Sequence, residues 1–270
     1  MSQSKEENQS KSIKKEVSLS GIGLHSGEKG KISFLPSEKG KINFILGDKE
    51  IEASSNNVTT TNRGTNLGEI QTIEHVLAAA YGLGIDSLEI KLSTPEPPAM
   101  DGSALFFVKA LLSAGIKILK KKKTIIVIKK TIEVKERESS IKVIPYDGFC
   151  IDFEVDFPAF GKQHFIYNKN TDFIKEVAPA RTFGYIEEVE MFKKNGIAKG
   201  ASTKNALVLS KNSYVNKPRF KDEMVRHKIL DLIGDLALLQ AYLKAKIIAK
   251  KSGHKLNVQL TNLIRLESQT

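Results

Sequence analysis

The sequence predicts an α+β protein made of two similar domains, each a β-sheet packed with two main helices. Three observations support this fold class. The 270 residues suffice for two ordinary domains. Strand-like runs and helical stretches occur in both halves. A lysine-rich segment, KILKKKK, separates them near residue 123. We therefore expect an N-terminal domain over residues 1–123, with 1–15 as a frayed tail, and a C-terminal domain over residues 124–270.

The N-terminal half begins with two or three strands broken by glycines, in VSLSGIGLHSGEKGKISFLP and KGKINFIL. After a polar loop, TIEHVLAAAYGLG (residues 72–84) has apolar side chains at helical spacing and glycines near its end. The strand SLEIKL and the proline-rich STPEPPAMDGS follow. A second helix is predicted in SALFFVKALLSAGI, with Ser103 as a candidate cap and Gly115 as a stop.

The C-terminal half begins with strands in TIIVIKKTIEVKE, SIKVIP and FCIDFEVDF. The last of these alternates apolar and acidic residues, as a half-buried antiparallel strand does. A helix is predicted to open in PARTFGYIEEVEMFKKNG and to end at Gly196. A long helix is predicted from about Lys221 to Lys246, and residues 253–260, GHKLNVQL, are predicted as a loop entering a strand. Several strands and two helices in each half suggest a duplicated unit.

The composition is that of a soluble globular protein, with 40% apolar and 27% charged residues. The first residues, MSQSKEENQSKSIKK, lack the apolar segment of a signal peptide, so the cytoplasm is the expected compartment. With Cys150 as the single cysteine, a metal must be held by histidine and carboxylate. The net charge of +11 favours anionic partners, or reflects a lysine-rich surface. Aromatic residues do not interleave with the basic runs, so nucleic acid is not expected.

A polar stripe runs along the apolar segment VRHKILDLIGDLALL, residues 225–239. His227, Asp231 and Asp235 stand at steps of four and drift by only about 80° around a helix. A solvated helix face would produce this pattern. A metal site would also produce it, since two ligands at i and i+4 can hold one ion.

The helix at residues 72–84 places Glu74 and His75 side by side among apolar residues, which is costly unless both have partners. Separately, Glu74 could be a first-turn acid favoured by the helix dipole and His75 a core histidine bonded to a carbonyl. A general base beside a metal ligand accounts for both. His254 and His25 stand in glycine-flanked loops that can face a cleft, whereas His164 is expected to be structural.

Seven segments together resemble the zinc-dependent UDP-3-O-acyl-N-acetylglucosamine deacetylases of lipid A biosynthesis. They are SGIGLHSG, TIEHVLAAAYGLGI, PAMDGS, ARTFGY, NALVL, VRHKILDLIGDL and GHKLN, and they occur in family order from about Ser20 to Leu260. The resemblance implies hydrolysis of the N-acetyl group of UDP-3-O-[(3R)-3-hydroxyacyl]-N-acetylglucosamine. It also implies an active site between the two domains, and an insert near residues 195–217 that forms a passage for the acyl chain. The polar sequence AKGASTKN within that insert is unusual for such a passage.

The resemblance also implies a role for each of ten residues. One Zn²⁺ per chain, with Fe²⁺ as the alternative, would be held by His75, His227 and Asp231, which leaves a fourth position for water. Catalysis would use Glu74 as general base, Thr182 as donor to the developing oxyanion, His254 as general acid and Asp235 as the group that orients and charges His254. Substrate contacts would come from Lys228 to anionic oxygens, Phe183 by stacking on a ring and Asn257 by hydrogen bonding.

The implied partner is UDP-3-O-acyl-GlcNAc, with brief contact at the inner membrane surface, no nucleic acid and a monomeric chain. Asp101 in the DGS segment either serves the site or caps the helix that begins near Ser103. Two alternatives stay open. A zinc amidohydrolase acting on another N-acetyl sugar would keep the metal site and lose the acyl passage. A basic nucleic-acid-binding protein would need neither Glu74, His75 nor the polar stripe.

Overall fold

The structure, a computed structural model, describes residues 8–269, without the side chains of Glu190 and Lys193. Within the described N-terminal half, a five-stranded sheet has the order β2-β3-β8-β4-β5. β4 and β8 run parallel and the other neighbours antiparallel. These strands are β2 (Val17–Ile22), β3 (Lys29–Pro36), β4 (Ile42–Leu46), β5 (Lys49–Glu52) and β8 (Leu88–Leu92). The other elements of this half are the paired β6 (Val58–Thr60) and β7 (Asn66–Leu67), and the helices α1 (Glu74–Gly82) and α2 (Leu105–Ser113).

The described C-terminal half contains a six-stranded mixed sheet of order β11-β12-β17-β13-β14, with β10 beside β17. Its strands are β10 (Ile125–Val127), β11 (Ile132–Glu136), β12 (Ser139–Ile144), β13 (Phe149–Phe157), β14 (Gly161–Tyr167) and β17 (Tyr242–Lys250). Its longer helices are α4 (Glu223–Ala237) and α5 (His254–Ser268). A small β-α-β unit, termed the insert although it begins before the predicted residues 195–217, consists of β15 (Phe183–Tyr185), α3 (Val189–Lys194) and β16 (Leu207–Leu209), with the two strands parallel.

The helices α1 and α4 pack directly on each other and bring the two halves together. Gly234 lies at their closest approach, because a Cβ there would stand only 2.7 Å from the carbonyl carbon of Glu74. A continuous cluster of buried apolar side chains draws from both halves. The structure thus has the predicted α+β class with mixed sheets. The division into two domains at residue 123 remains a prediction.

The predicted frayed tail is wrong for the part of it that the structure describes. Residues 1–7 lie outside the described residues, but Gln9–Ile13 forms β1, which pairs antiparallel with β9 (Ile116–Lys122). The segment is held because Ser10 Oγ and Lys11 N donate to Asp86 Oδ1, at 2.6 and 2.8 Å. The lysine-rich segment before residue 123 is therefore a strand of this ribbon.

The helix predicted as far as Lys246 ends at Ala237, and the residues after it form the central strand β17. Gln240 makes the turn with a positive φ of 54°. Its side chain accepts from Ile42 N at 2.9 Å and donates to the carbonyl of Ala53. Alternate residues of β17 are then buried, as a strand requires: Leu243, Ala245, Ile247 and Ala249.

Two further local predictions are also wrong. Residues 253–260 begin α5 rather than a strand, because Leu256, Leu260 and Ile264 are buried at a spacing of four. The helix predicted in PARTFGYIEEVEMFKKNG is shorter than expected. The residues after Arg181 first form the strand β15, and the α-helix of this segment is limited to α3. Among residues 8–269, no helix combines the length and the apolar character that a bilayer crossing requires.

Candidate active site

Three predicted metal ligands converge between α1 and α4. His75 comes from the first turn of α1, and His227 and Asp231 stand one turn apart on α4. All three are buried, and their ligand atoms lie within 4.8 Å of one another. Asp231 Oδ1 is 3.2 Å from His227 Nε2 and 3.6 Å from His75 Nε2. The i, i+4 spacing on one helix and a residue from the facing helix thus form a single cluster.

The donor atoms of this cluster suit a divalent metal. Asp231 Oδ1 is buried without a hydrogen-bond partner among the described residues, whereas its Oδ2 accepts from Lys228 Nζ at 3.0 Å. His227 Nδ1 lies 3.1 Å from the carbonyl of Ala180, so a proton on Nδ1 leaves the lone pair of Nε2 facing the cluster. Two imidazole nitrogens and one free carboxylate oxygen form a typical three-ligand catalytic zinc set.

The electrostatics keep these groups in their metal-binding forms. Burial lowers the pKa of His227 to about 4, against the opposing effect of Asp231, so the imidazole is neutral at pH 7. Burial raises the pKa of Asp231, but His227, Lys228 and His254 outweigh it and hold the pKa well below its usual value. A neutral imidazole and an ionised carboxylate are the forms that bind metal.

Glu74 and His254 face each other beside the cluster. Glu74 Oε1 is 3.9 Å from His254 Nε2, which in turn is 3.8 Å from Asp231 Oδ2. Burial raises the pKa of Glu74, since it disfavours the charged form. Burial lowers the pKa of His254, but Asp235, Asp231 and Glu74 outweigh it and raise the value to about 10. A carboxylate with increased proton affinity therefore stands opposite a protonated imidazole.

Asp235 lies behind His254, as the resemblance implies. Its Oδ2 is 2.9 Å from His254 Nδ1, and the carboxylate is fully buried. The same oxygen accepts from Asn257 Nδ2 at 2.9 Å, and Asn257 Oδ1 accepts from Ser252 Oγ at 2.7 Å. Asn257 is 1% exposed and does not line the cavity that opens at the cluster. The structure therefore places it as a support of Asp235 and not at a substrate-facing position.

A cavity of about 550 Å³ is lined by the cluster with its neighbours, termed the polar end, and by residues of the insert, termed the other end. Its polar end carries the catalytic candidates together with Lys228 and Thr182. Its other end is formed largely by apolar side chains of the insert, including Ile186, Val189, Phe192, Ile197 and Val208. The polar stretch AKGASTKN, residues 198–205, lines the cavity with both alanines, Ala198 and Ala201, and with the hydroxyl residues Ser202 and Thr203.

Thr182 and Phe183 line the cavity where the insert begins. Thr182 is fixed by its backbone, since its N–H donates to the carbonyl of Gly102 and its own carbonyl accepts from Leu207 N, both at 2.8 Å. The Phe183 ring lies 5.5 Å from Lys228 Nζ and 6.0 Å from the His227 ring. Phe183 thus stands beside His227, and both residues line the same cavity as the candidate metal cluster.

Of the remaining candidates from the sequence, one lines the cavity and two lie away from it. His25 lines the cavity, with Nε2 3.2 Å from the carbonyl of Arg63. Asp101 accepts from Ser103 N and Oγ at 3.1 and 2.7 Å near the start of α2, and it does not line the cavity. His164 is exposed on the sheet, with Nε2 2.7 Å from Asp152 Oδ1.

Three features of the site could not be found by sequence reasoning. Thr65 bonds to two carboxylates of the candidate site, Glu74 nearby in the chain and Asp235 on α4, 170 residues away. Glu223, 1% exposed, accepts two hydrogen bonds from the Arg181 side chain, at 2.8 and 3.1 Å, and so ties the segment before Thr182 to the start of α4. The guanidinium of Arg63 stacks 3.8 Å from the ring centroid of Phe192 at the cavity. Apart from Glu74, which is nine residues from Thr65, their partners are distant in sequence, and the only local signal is the NRG turn at Arg63.

Comparisons with known proteins agree with this geometry. A family model described as LpxC: UDP-3-O-acyl N-acetylglycosamine deacetylase matches residues 10–265. The chain is 40% identical over 266 residues to the UDP-3-O-acyl-N-acetylglucosamine deacetylase of Syntrophotalea carbinolica. The aligned region covers 93% of this chain and 86% of that protein. It is 41% identical over 267 residues to the protein of the same name from Helicobacter hepaticus, covering 94% and 89%. It is 39% identical over 297 residues to the bifunctional enzyme LpxC/FabZ of Chlorobaculum tepidum, and the aligned region covers only 64% of that enzyme's length.

Proposed function

The chain belongs to the UDP-3-O-acyl N-acetylglycosamine deacetylase family, and from this premise we propose that it hydrolyses the N-acetyl group of UDP-3-O-[(3R)-3-hydroxyacyl]-N-acetylglucosamine. The products are acetate and UDP-3-O-acyl-glucosamine, and the reaction is the committed step of lipid A biosynthesis. The observation that carries the proposal is the buried cluster of His75, His227 and Asp231 at the polar end of a cavity with an apolar far end.

His75, His227 and Asp231 would hold one divalent ion, Zn²⁺ or Fe²⁺. When bound, such an ion polarises an amide carbonyl and lowers the pKa of a water molecule. The unpartnered Oδ1 of Asp231 supports this assignment, because a buried carboxylate oxygen without a donor is unfavourable unless a cation binds there.

Glu74 would act as general base and His254 as general acid. Water adds to the amide carbon and loses a proton to Glu74 Oε1, while the Thr182 hydroxyl donates to the developing oxyanion. The C–N bond then breaks, and His254 Nε2 gives its proton to the departing nitrogen. The separation of 3.9 Å between Glu74 Oε1 and His254 Nε2 supports these roles, because both groups reach the same small space. Asp235 keeps His254 oriented and charged.

The substrate would lie along the cavity. Lys228 would bind anionic oxygens and Phe183 would stack on a ring, while the apolar side chains of the insert would enclose the acyl chain. The role proposed for Asn257 changes to positioning Asp235, since its amide donates there. We further propose a cytoplasmic monomer of two domains, residues 1–123 and 124–270, that contacts the inner membrane surface briefly.

Paired substrates test this proposal. Acetate release is measured from UDP-3-O-acyl-GlcNAc and from UDP-GlcNAc, with the wild-type protein and with Phe192→Ala. We expect a strong preference for the acylated substrate that Phe192→Ala weakens, because the apolar end loses a ring. Equal kcat/KM for both substrates would point instead to a metal-dependent amidohydrolase acting on other N-acetyl sugars.

A further inference from the structure

Thr65 connects the proposed base and the proposed acid from behind. It is fully buried in the loop that leads into β7. Its backbone N–H donates to Glu74 Oε2 at 2.9 Å, and its carbonyl accepts from Ile73 N at 3.1 Å, just before α1. Its hydroxyl donates to Asp235 Oδ1 at 2.5 Å. The hydroxyl oxygen also lies 3.3 Å from His254 Nδ1. Each polar group of this threonine thus bonds to the helix start or to a side chain of the candidate site.

The direction of these bonds fixes the orientation of the Glu74 carboxylate and of the His254 imidazole. An ionised carboxylate only accepts, so the Thr65 hydroxyl must donate to Asp235 Oδ1. The other oxygen, Oδ2, is then free to accept from His254 Nδ1 at 2.9 Å, which turns Nε2 toward the cavity. The N–H of Thr65 holds Oε2 of Glu74 in the same way and leaves Oε1 facing His254 Nε2.

The residue before Thr65 supports the same arrangement. Gly64 has a φ of 156°, a conformation that residues with a Cβ rarely adopt, and a Cβ there would lie 3.1 Å from Glu74 Oε1. The absence of a side chain at this position lets the backbone approach the carboxylate closely enough for the Thr65 N–H to bond to it.

We propose that Thr65 is a positioning residue that holds the base Glu74 and the acid pair Asp235–His254 so that Glu74 Oε1 and His254 Nε2 face each other. This inference rests on the proposed function for the roles of base and acid. Misplacing a catalytic group by about 1 Å can cost on the order of 10²-fold in rate. The hydroxyl and the N–H of Thr65 constrain these groups independently, and a substitution can remove the hydroxyl alone.

The variants Thr65→Val and Thr65→Ser separate the hydroxyl from packing. Thr65→Val keeps the shape and the N–H but leaves Asp235 Oδ1 without its donor, so kcat should fall on the order of 10²-fold. KM and bound metal should stay as in the wild type. Thr65→Ser restores the donor and should keep kcat close to the wild type. If Thr65→Val does not fold, Thr65→Cys, whose thiol is a weak donor of similar size, is compared with Thr65→Ser instead.

Thr261→Val is the matched control. Thr261 is also fully buried, but its hydroxyl faces only backbone carbonyls, that of Asn257 at 2.8 Å and that of Asp235 at 3.3 Å, and it bonds to no carboxylate of the site. The second readout is the side-chain NMR signal of His254 in ¹⁵N-histidine-labelled protein. It should change in Thr65→Val and stay unchanged in Thr65→Ser and Thr261→Val.

Three results bear on the inference. Wild-type kcat with an unchanged His254 signal in Thr65→Val would overturn it. Parallel losses of kcat and thermal stability in Thr65→Val and Thr261→Val would also overturn it, because they indicate packing alone. If the wild-type protein releases no acetate, the proposed function fails, and the His254 signal still decides whether Thr65 positions the imidazole.

Discussion

Replacing Gly234 by alanine should disrupt both the packing of α1 on α4 and the metal cluster. A Cβ at this position would lie 2.7 Å from the Glu74 carbonyl carbon, whereas ordinary contacts begin at 3.4 Å. The Glu74 carbonyl oxygen lies closer still, so the shortfall is at least about 0.7 Å, and it is against backbone, which cannot rotate away. Metal–ligand distances tolerate only about 0.2 Å. Because α1 carries His75 and α4 carries His227, a shift of this size should weaken metal binding.

The sign of the change in unfolding free energy of Gly234→Ala shows whether the close contact or the helix propensity of alanine dominates. Propensity alone would make Gly234→Ala stabilising by about 1 kcal/mol. Overpacking against backbone costs about 3 kcal/mol at the upper end of its range. We therefore expect a net loss of about 2 kcal/mol, a fall in Tm of roughly 4–8 °C for a chain of this size.

The assay is thermal unfolding of the metal-free protein, followed by zinc titration against a competing chelator. Gly253→Ala is the control, because its backbone is extended, with φ −149° and ψ −177°, and no atom lies within 4 Å of a Cβ there. Because Gly253 is the N-cap of α5, where alanine is less favourable than glycine, that variant should retain the wild-type zinc affinity and lose less in Tm than Gly234→Ala. A Gly234→Ala protein that unfolds at or above the wild-type Tm and binds zinc equally well would refute the close approach of the two helices.

Two other substitutions test the base and a buried ion pair. Glu74→Gln keeps the size of the side chain but cannot take a proton, so kcat should fall about 10²–10⁴-fold at wild-type metal content by elemental analysis; unchanged turnover would contradict the role of base. Burial raises the pKa of Glu223, but bonds from Arg181 and Arg219 outweigh it and lower the folded-state pKa below its ordinary 4.5. The unfolded chain therefore binds this proton more readily, and the stabilisation is present above about pH 4.5 and lost as pH falls through the lower folded value. Glu223→Gln should lower the free energy of unfolding by about 3–5 kcal/mol at neutral pH. In a plot of Tm against pH, the fall of Tm toward acid pH should also be less steep than in the wild type. An equally steep fall would show that the Arg181–Glu223 ion pair does not act this way.

The residues of the candidate metal cluster were conspicuous in the sequence, although their assignment as ligands came from the family resemblance. Charged or imidazole side chains inside an apolar helix are costly without partners, so Glu74, His75 and the stripe from His227 to Asp235 stand out. Bonds from loops leave no comparable pattern. Thr65 and Asp235 are 170 residues apart, and nothing near either one marks the other as its partner.

The C-terminal elements could not be predicted because local pattern and tertiary contacts disagree there. The apolar, lysine- and alanine-rich residues after Leu239 suit a helix as well as a strand. The hydrogen bonds of Gln240 to Ile42 and Ala53 stop the helix, and the sheet partners of β17 then make it a strand. The glycine before His254 suggested a loop, although the apolar spacing of four that defines α5 begins only after it.

Metal content and acetate release, measured together on the purified protein, test the central claim most directly. We predict about one zinc per chain by elemental analysis. We also predict acetate release from UDP-3-O-acyl-GlcNAc that a chelator abolishes and added zinc restores. A protein that binds no metal after reconstitution, or that releases acetate equally well in the presence of chelator, would contradict the assignment of His75, His227 and Asp231 as a catalytic metal site.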